Sequence, residues 1–181
     1  MANDQVKHFL CTGTFDDSML KDFMKFYSEI LKDGDKQAII YIDSNGGNVR
    51  TANSMISIIE NSGIDFYTCA LGSASSSALA LLVSGKKRFA APRSRMLFHD
   101  VSTGAFGKVD EVKQQATESK ELSKRYIKYF SSKTKKPASW WLATAKKKET
   151  KDFVFYPKTA LKLGVIDRIG LPEVIITKKV A

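Results

Sequence analysis

The chain alternates between two kinds of apolar spacing, and this alternation predicts an α/β protein. Continuous apolar runs of strand length, such as 37–42 and 66–71, are separated by segments such as 51–59, in which apolar residues recur every three or four positions. Strands that alternate with helices are typical of folds in which helices cover the faces of a sheet. The predicted strands are 9–11, 37–42, 66–71, 88–90, 95–98, 153–155 and 174–176, and the predicted helices are 20–31, 51–59, 76–83, 109–133, 137–145 and 158–163.

The segment 109–133 departs from this rhythm because it is long and mostly polar. At 1.5 Å per residue it forms a helix about 37 Å long. A helix with a narrow apolar stripe buries little surface against its own domain, so we expect it to project and contact a second copy of the chain. The stripe consists of Val109, Val112, Ala116, Leu122, Tyr126 and Phe130.

Composition narrows the class of protein further. The 181 residues are 43% hydrophobic and 27% charged, without a long linker or repeat, which predicts one soluble domain over residues 1–181. No apolar stretch reaches the ~20 residues that span a bilayer, and the first residues do not resemble a secretory signal.

Cys11 and Cys69 lie in apolar runs and suit reduced thiols, so we expect a cytoplasmic protein. The net charge of +10 accompanies no recognisable nucleic-acid module, so nucleic acid is not an expected partner.

Three short features carry candidate chemistry. A glycine turn, with Gly46 and Gly47, directly follows the strand 37–42, and a serine-rich stretch places Ser76 at the start of a predicted helix. His99 closes the apolar run 96–98. A hydroxyl, backbone amides on a glycine turn and an imidazole are the parts of an acyl-transfer site.

The residue types limit which groups complete such a site. His99 is the only credible base, since His8 lies in the N-terminal lead. Asp100, Asp110, Asp152 and several glutamates are possible partners, and Asp152 is favoured because Asp100 would face away from His99 on an extended strand. The sequence offers one usable histidine and two isolated cysteines, which are too few ligands for a metal site, so no metal is expected. It contains no phosphate-binding loop or other cofactor motif.

Each feature also has a simpler interpretation when taken alone. The serines are typical of helix caps, the glycines of a tight turn, and His99 or Asp152 of ordinary structural positions. The combination is what favours catalysis.

Four blocks, in order and with similar spacing, resemble the proteolytic subunit (ClpP) family of the Clp proteases. They are SNGGNV at 44–49, CALGSASS at 69–76, SRMLFH at 94–99, and Asp152 followed by ALKLGVID at 160–167. The resemblance implies a ClpP/crotonase-like α/β spiral of ββα units, with a projecting handle helix in the region of about 101–135. It also implies peptide or unfolded-protein substrates, no cofactor, and self-association into a heptameric ring or double ring.

The same resemblance assigns roles to individual residues. Ser76 would be the nucleophile, His99 the general base and Asp152 the residue that orients His99. The backbone amides of Gly47 and Ser77 would form the oxyanion hole, and Gly46 with Gly47 would let an extended peptide approach the backbone closely.

Departures from the family pattern leave alternatives open. Few residues precede Phe9, where the family has a longer segment that helps dock an AAA+ unfoldase, so we expect a stand-alone peptidase more than an ATPase-coupled one. Thr150 stands where the family often carries an acidic residue, and Val101 where it usually carries proline. The main alternative is a catalytically inactive ring or assembly subunit, and a weaker one is a crotonase-type CoA enzyme.

Overall fold

A computed structural model of the chain describes residues 6–101, 108–146 and 152–173. Its architecture is α/β, as the sequence predicts, and its sheet is largely parallel. The strands are β1 (Lys7–Phe15), β2 (Gln37–Gly47), β3 (Asp65–Ser75), β4 (Lys87–Ala90), β5 (Arg95–His99), β6 (Asp152–Phe155) and β7 (Arg168–Ile169). The helices are α1 (Asp17–Asp33), α2 (Val49–Asn61), α3 (Ser77–Ser84), α4 (Val109–Lys133), α5 (Ala138–Ala145) and α6 (Pro157–Leu163). The strand predicted at 174–176 lies outside the described residues.

The sheet changes partner halfway along β3. Strands β1, β2, β3, β4 and β7 are neighbours in that order, and their named pairings are parallel. The first half of β3 pairs with β4 and its last residues pair with β5. Strand β6 then runs antiparallel to β5. This change of partner carries the ends of β3 and β5 to one place, where the candidate site lies.

Local capping explains where several elements begin and end. The Asp16 carboxylate accepts a hydrogen bond from the Met19 amide at 2.9 Å and caps α1. Asn48 caps α2 through the Arg50 amide. Gly164 adopts a left-handed conformation that ends α6.

The long helix α4 is anchored only near its C-terminal end. Ile127 and Phe130 are its buried residues, and Val109 is 69% exposed. The Phe130 ring lies 5.1 Å from both the Phe98 and the Trp141 rings, so it joins α4 to β5 and α5. The predicted stripe missed Ile127, but its N-terminal residues are uncovered, which agrees with the expectation that this helix buries little surface against its own domain. Within the described residues, no helix has the length and apolar character needed to cross a membrane.

Arg88, near the start of β4, links three elements. Its guanidinium donates two hydrogen bonds to the Asp167 carboxylate, at 2.6 and 3.0 Å. It also donates to the carbonyl oxygens of Lys133 and Gly164, at 2.6 and 2.8 Å. Burial raises the pKa of Asp167, but the hydrogen bonds from Arg88 outweigh this effect and hold the pKa below its usual value. Arg88 therefore links β4 to the ends of α4 and α6.

Replacing Arg88 with methionine is expected to lower the free energy of unfolding by about 2–3 kcal/mol, because the part-buried carbonyls of Lys133 and Gly164 lose their side-chain donor and Asp167 keeps only the backbone amide of residue 88. The matched control is Arg168→Met, whose ion pair with Glu173 is exposed and should contribute less than about 1 kcal/mol. Urea unfolding of both variants measures the difference, and equal losses would show that Arg88 is not a structural link.

Candidate active site

Ser76 forms a strained turn between β3 and α3. Its backbone has φ 57° and ψ −124°, and it is the one non-glycine residue with positive φ in the part of the chain that the structure describes. Such a conformation costs on the order of 1–3 kcal/mol and persists only where the surroundings enforce it. The Ser76 amide donates to the Leu97 carbonyl at 2.9 Å, which fixes the turn against β5. Strain of this kind points to a functional position.

The glycine turn at the end of β2 packs directly against the Ser76 turn. A Cβ atom on Gly46 would lie 2.6 Å from the Ser75 carbonyl oxygen and 2.8 Å from Ser77 Oγ. A Cβ atom on Gly47 would lie 2.7 Å from the backbone of Phe15, its partner on β1. Because these distances are shorter than van der Waals contact allows, only glycine fits at both positions.

Ser77 holds the glycine turn through its side chain. Its hydroxyl oxygen accepts a hydrogen bond from the Gly47 amide at 2.8 Å and donates to the Gly47 carbonyl at 3.2 Å. The hydroxyl is therefore engaged in both directions, and Ser77 itself is almost completely buried. The backbone amide of Gly47 therefore already donates its hydrogen bond to Ser77 Oγ.

His99 and Asp152 lie directly opposite each other on two antiparallel strands. They are register partners at the junction of β5 and β6. Directly opposed residues on antiparallel strands project from the same face of the sheet, so their side chains are neighbours. Asp100 is held differently: its carboxylate accepts hydrogen bonds from the Ser123 hydroxyl on α4 and from the Val101 amide. The register therefore brings Asp152 to the face that carries His99.

A cavity of about 240 Å³ brings the glycine turn, the serine and the histidine together. Gly47, Ser76 and His99 all line it. Gly46, Ser77 and Asp152 lie next to lining residues but are not part of the wall. Among the described residues, no hydrogen bond yet joins Ser76, His99 and Asp152 in this resting arrangement. Catalytic hydrogen bonds in unliganded sites are often long and tighten when substrate binds.

Sequence reasoning missed part of the cavity wall. Tyr126 and Phe130 come from α4, and Asn45 and Val49 flank the glycine turn. Tyr126 and Phe130 belong to the apolar stripe of the predicted helix, but the stripe gave no indication that they face Ser76 and His99. That information depends on how α4 docks against β5.

The remaining reactive side chains lie in the core. Cys11 and Cys69 are free and buried, and burial raises the pKa of each thiol to about 12. Both thiols are therefore protonated at neutral pH and poorly nucleophilic. Across residues 6–101, 108–146 and 152–173, no group of histidine, cysteine and acidic side chains is arranged to hold a metal ion.

Comparison with known proteins places this architecture in a family. The model of the Clp protease family matches residues 5–173, and the chain belongs to this family. It is 32% identical over 139 residues to the ATP-dependent Clp protease proteolytic subunit of Porphyromonas gingivalis, covering 76% of this chain and 61% of that protein. It is 29% identical over 140 residues to proteolytic subunit 1 of Chlamydia felis, covering 76% of this chain and 67% of the relative. The chain thus spans about two thirds of the length of these relatives.

Replacing Gly46 with alanine is expected to destabilise the protein by about 3 kcal/mol, because the new methyl group meets backbone and the positive φ is strained. The matched control is Gly63→Ala. Gly63 also has a positive φ, of 74° against 90° for Gly46, but no atom lies near the added methyl group, so this substitution should cost about 1 kcal/mol. Thermal or urea unfolding measures both variants, and equal costs would contradict the close approach of the two turns.

Proposed function

We propose that the chain is a serine endopeptidase of the ClpP type that hydrolyses peptide bonds. The observation that carries this proposal is the cavity in which the strained Ser76 turn, His99 and Gly47 meet. Membership of the Clp protease family supports the same reaction class. In this proposal Ser76, His99 and Asp152 form the triad, and the amides of Gly47 and Ser77 form the oxyanion hole.

The proposed reaction proceeds in two acyl-transfer steps. Ser76 Oγ attacks the peptide carbonyl carbon while His99 accepts the hydroxyl proton. The negative charge on the carbonyl oxygen is stabilised by the two backbone amides, and His99 returns the proton to the leaving amine. Water then attacks the acyl-enzyme with His99 again as base, which releases the acid and restores Ser76. Asp152, opposite His99, holds the imidazole in the tautomer that accepts the proton.

Substrate binding must release the Gly47 amide from Ser77. In the resting arrangement this amide donates to Ser77 Oγ, so it is not available to a developing oxyanion. A rotation of the Ser77 side chain would free it without moving the backbone. The exposed edge of the glycine turn would then align an extended peptide, which favours unfolded segments as substrates.

Self-association into rings is part of the proposal. Most of α4 is uncovered, which supports a role in contacts between copies of the chain.

The relatives are called ATP-dependent proteolytic subunits, and this favours a Clp ATPase partner for this chain. The stand-alone activity predicted from the sequence stays a prediction. A single domain over 1–181 and a cytoplasmic location also stay predictions, and the protonated thiols are compatible with that location.

A catalytically inactive ring or assembly subunit is the second candidate function. It is favoured by the missing hydrogen bonds between Ser76, His99 and Asp152 and by the occupied Gly47 amide. The two candidates differ in whether Ser76 reacts with an electrophile.

The Ser76→Ala variant is expected to lose labelling by a fluorophosphonate probe and to lose cleavage of a fluorogenic peptide, because Ser76 is the one serine or threonine among the described residues that line the cavity with His99. Ser73→Ala is the matched control and should label and cleave like the wild type. Light scattering shows whether each variant keeps the wild-type assembly. Equal labelling of wild type and Ser76→Ala would exclude Ser76 as the nucleophile, and no labelling of an assembled wild type would favour the inactive subunit.

The Ser77→Ala variant is expected to raise kcat/KM for the fluorogenic peptide by up to about tenfold, because the Gly47 amide no longer has to give up a hydrogen bond before it can bind the oxyanion. The backbone amide of residue 77 is retained in this variant. Steady-state kinetics with one peptide measures the change. A fall in kcat/KM at unchanged stability would instead mean that the Ser77 hydroxyl holds the turn in its active geometry.

A further inference from the structure

His99 lies where the pairing of its strand ends. Strand β5 pairs with β3 at three positions, the last of which is Leu97. Its pairing with β6 ends at His99 itself, opposite Asp152. The ends of paired strands open more easily than their centres. The position of the imidazole therefore depends on what holds the residues on either side of it.

Helix α4 holds both neighbours of His99. On one side the Phe98 ring packs edge-on against the Phe130 ring, with 5.1 Å between the ring centroids. On the other side the Asp100 carboxylate accepts a hydrogen bond from the Ser123 hydroxyl. Ser123 and Phe130 are seven residues apart, so they lie on the same face of α4. One face of the helix thus brackets the backbone that carries the imidazole.

The hydrogen bond between Ser123 and Asp100 has a fixed geometry. The Val101 amide donates to the same Asp100 oxygen at 2.8 Å, which holds the side chain against its own backbone. A carboxylate acceptor makes these bonds charge-assisted and stronger than neutral ones. Among the described residues, no other side-chain hydrogen bond or ion pair joins α4 before Ile127 to another element of the fold. This contact is therefore the polar link between the exposed part of α4 and the end of β5.

We propose that Asp100 and Ser123 are positioning residues for His99. Their hydrogen bond holds the end of β5 against α4, and this keeps the imidazole within reach of the Ser76 hydroxyl. Neither residue transfers a proton, and both act through His99. This inference rests on the proposed peptidase function.

The first test measures kcat and KM for one fluorogenic peptide. Ser123→Ala and Asp100→Ala are each expected to lower kcat about tenfold and to change KM by less than about twofold, because His99 spends less time in the productive geometry while the binding surface is kept. The double variant should lose no more than either single variant, since both remove the same bond. Asp100→Asn should recover most of the lost kcat, because its side-chain oxygen still accepts from both donors.

Ser119→Ala is the matched control. Ser119 lies one turn earlier on α4, and its hydroxyl donates to the Gln115 carbonyl of the same helix at 2.8 Å, so kcat should not change. Equal losses in Ser119→Ala and Ser123→Ala, additive losses in the double variant, or an Asp100→Asn variant as slow as Asp100→Ala would overturn the inference. Light scattering follows assembly, and dissociation of the Ser123→Ala protein would assign the effect to self-association and also overturn it.

A second measurement separates this inference from the proposed function, because it needs no catalysis. The chain has two histidines, so mass spectrometry can follow the modification of His99 by diethylpyrocarbonate with exposed His8 as the internal reference. The rate at His99 relative to His8 is expected to rise about threefold in Ser123→Ala, as the strand end opens more often, and to stay unchanged in Ser119→Ala. A wild type that cleaves peptide, with neither this rate nor kcat altered in Ser123→Ala, would overturn the positioning role and leave the peptidase intact. A wild type that neither labels nor cleaves overturns the peptidase, and the rate at His99 alone then confirms or overturns the contact as the one that holds this histidine.

Discussion

The missing side chains of Gly46 and Gly47 are the constraint on which the site depends. The end of β2 passes between Phe15 of β1 and the Ser76 turn, at distances that leave no room for a Cβ atom on either side. The same approach lets Ser77 bond the Gly47 backbone and keeps the turn over the cavity. Because the ends of β1, β2 and β3 share this contact, the geometry of the Ser76 turn is set by backbone packing more than by any single side chain.

Burial of α3 outweighs the strain at Ser76. All residues of α3 from Ser77 to Ser84 are buried, including Leu79, Leu81 and Leu82. Fully burying one leucine side chain stabilises the fold by about 1.5–3 kcal/mol, so these three together exceed the strain of ~1–3 kcal/mol at one residue. The apolar helix behind the turn therefore holds Ser76 in a conformation that it would not adopt alone.

The spacing of apolar residues predicted the strands and helices that have one apolar side, and it predicted the bounds of α4 correctly. It ended β2 and β3 too early, because their last residues are aspartate, serine, asparagine, glycine and alanine. Pairing with β1, β2 and β5 holds these residues in strand conformation. It also missed the two-residue strand β7. The candidate triad residues were named from residue types, strand geometry and motif blocks. The register of Asp152 against His99 and the position of Tyr126 depend on tertiary packing, which a sequence pattern does not encode.

The N-terminal part of α4 has an energetic consequence for the whole helix. Before Ile127 it has no buried residue, and it is supported by the Lys108 amide bonded to Glu111 and by side-chain pairs one turn apart, such as Lys124 with Glu121. Exposed pairs of this kind contribute only about 0.2–0.5 kcal/mol each and are screened by salt. The helical content of this part is therefore sensitive to ionic strength. In the proposed ring, a neighbouring copy that covered this part would also stabilise its helical conformation.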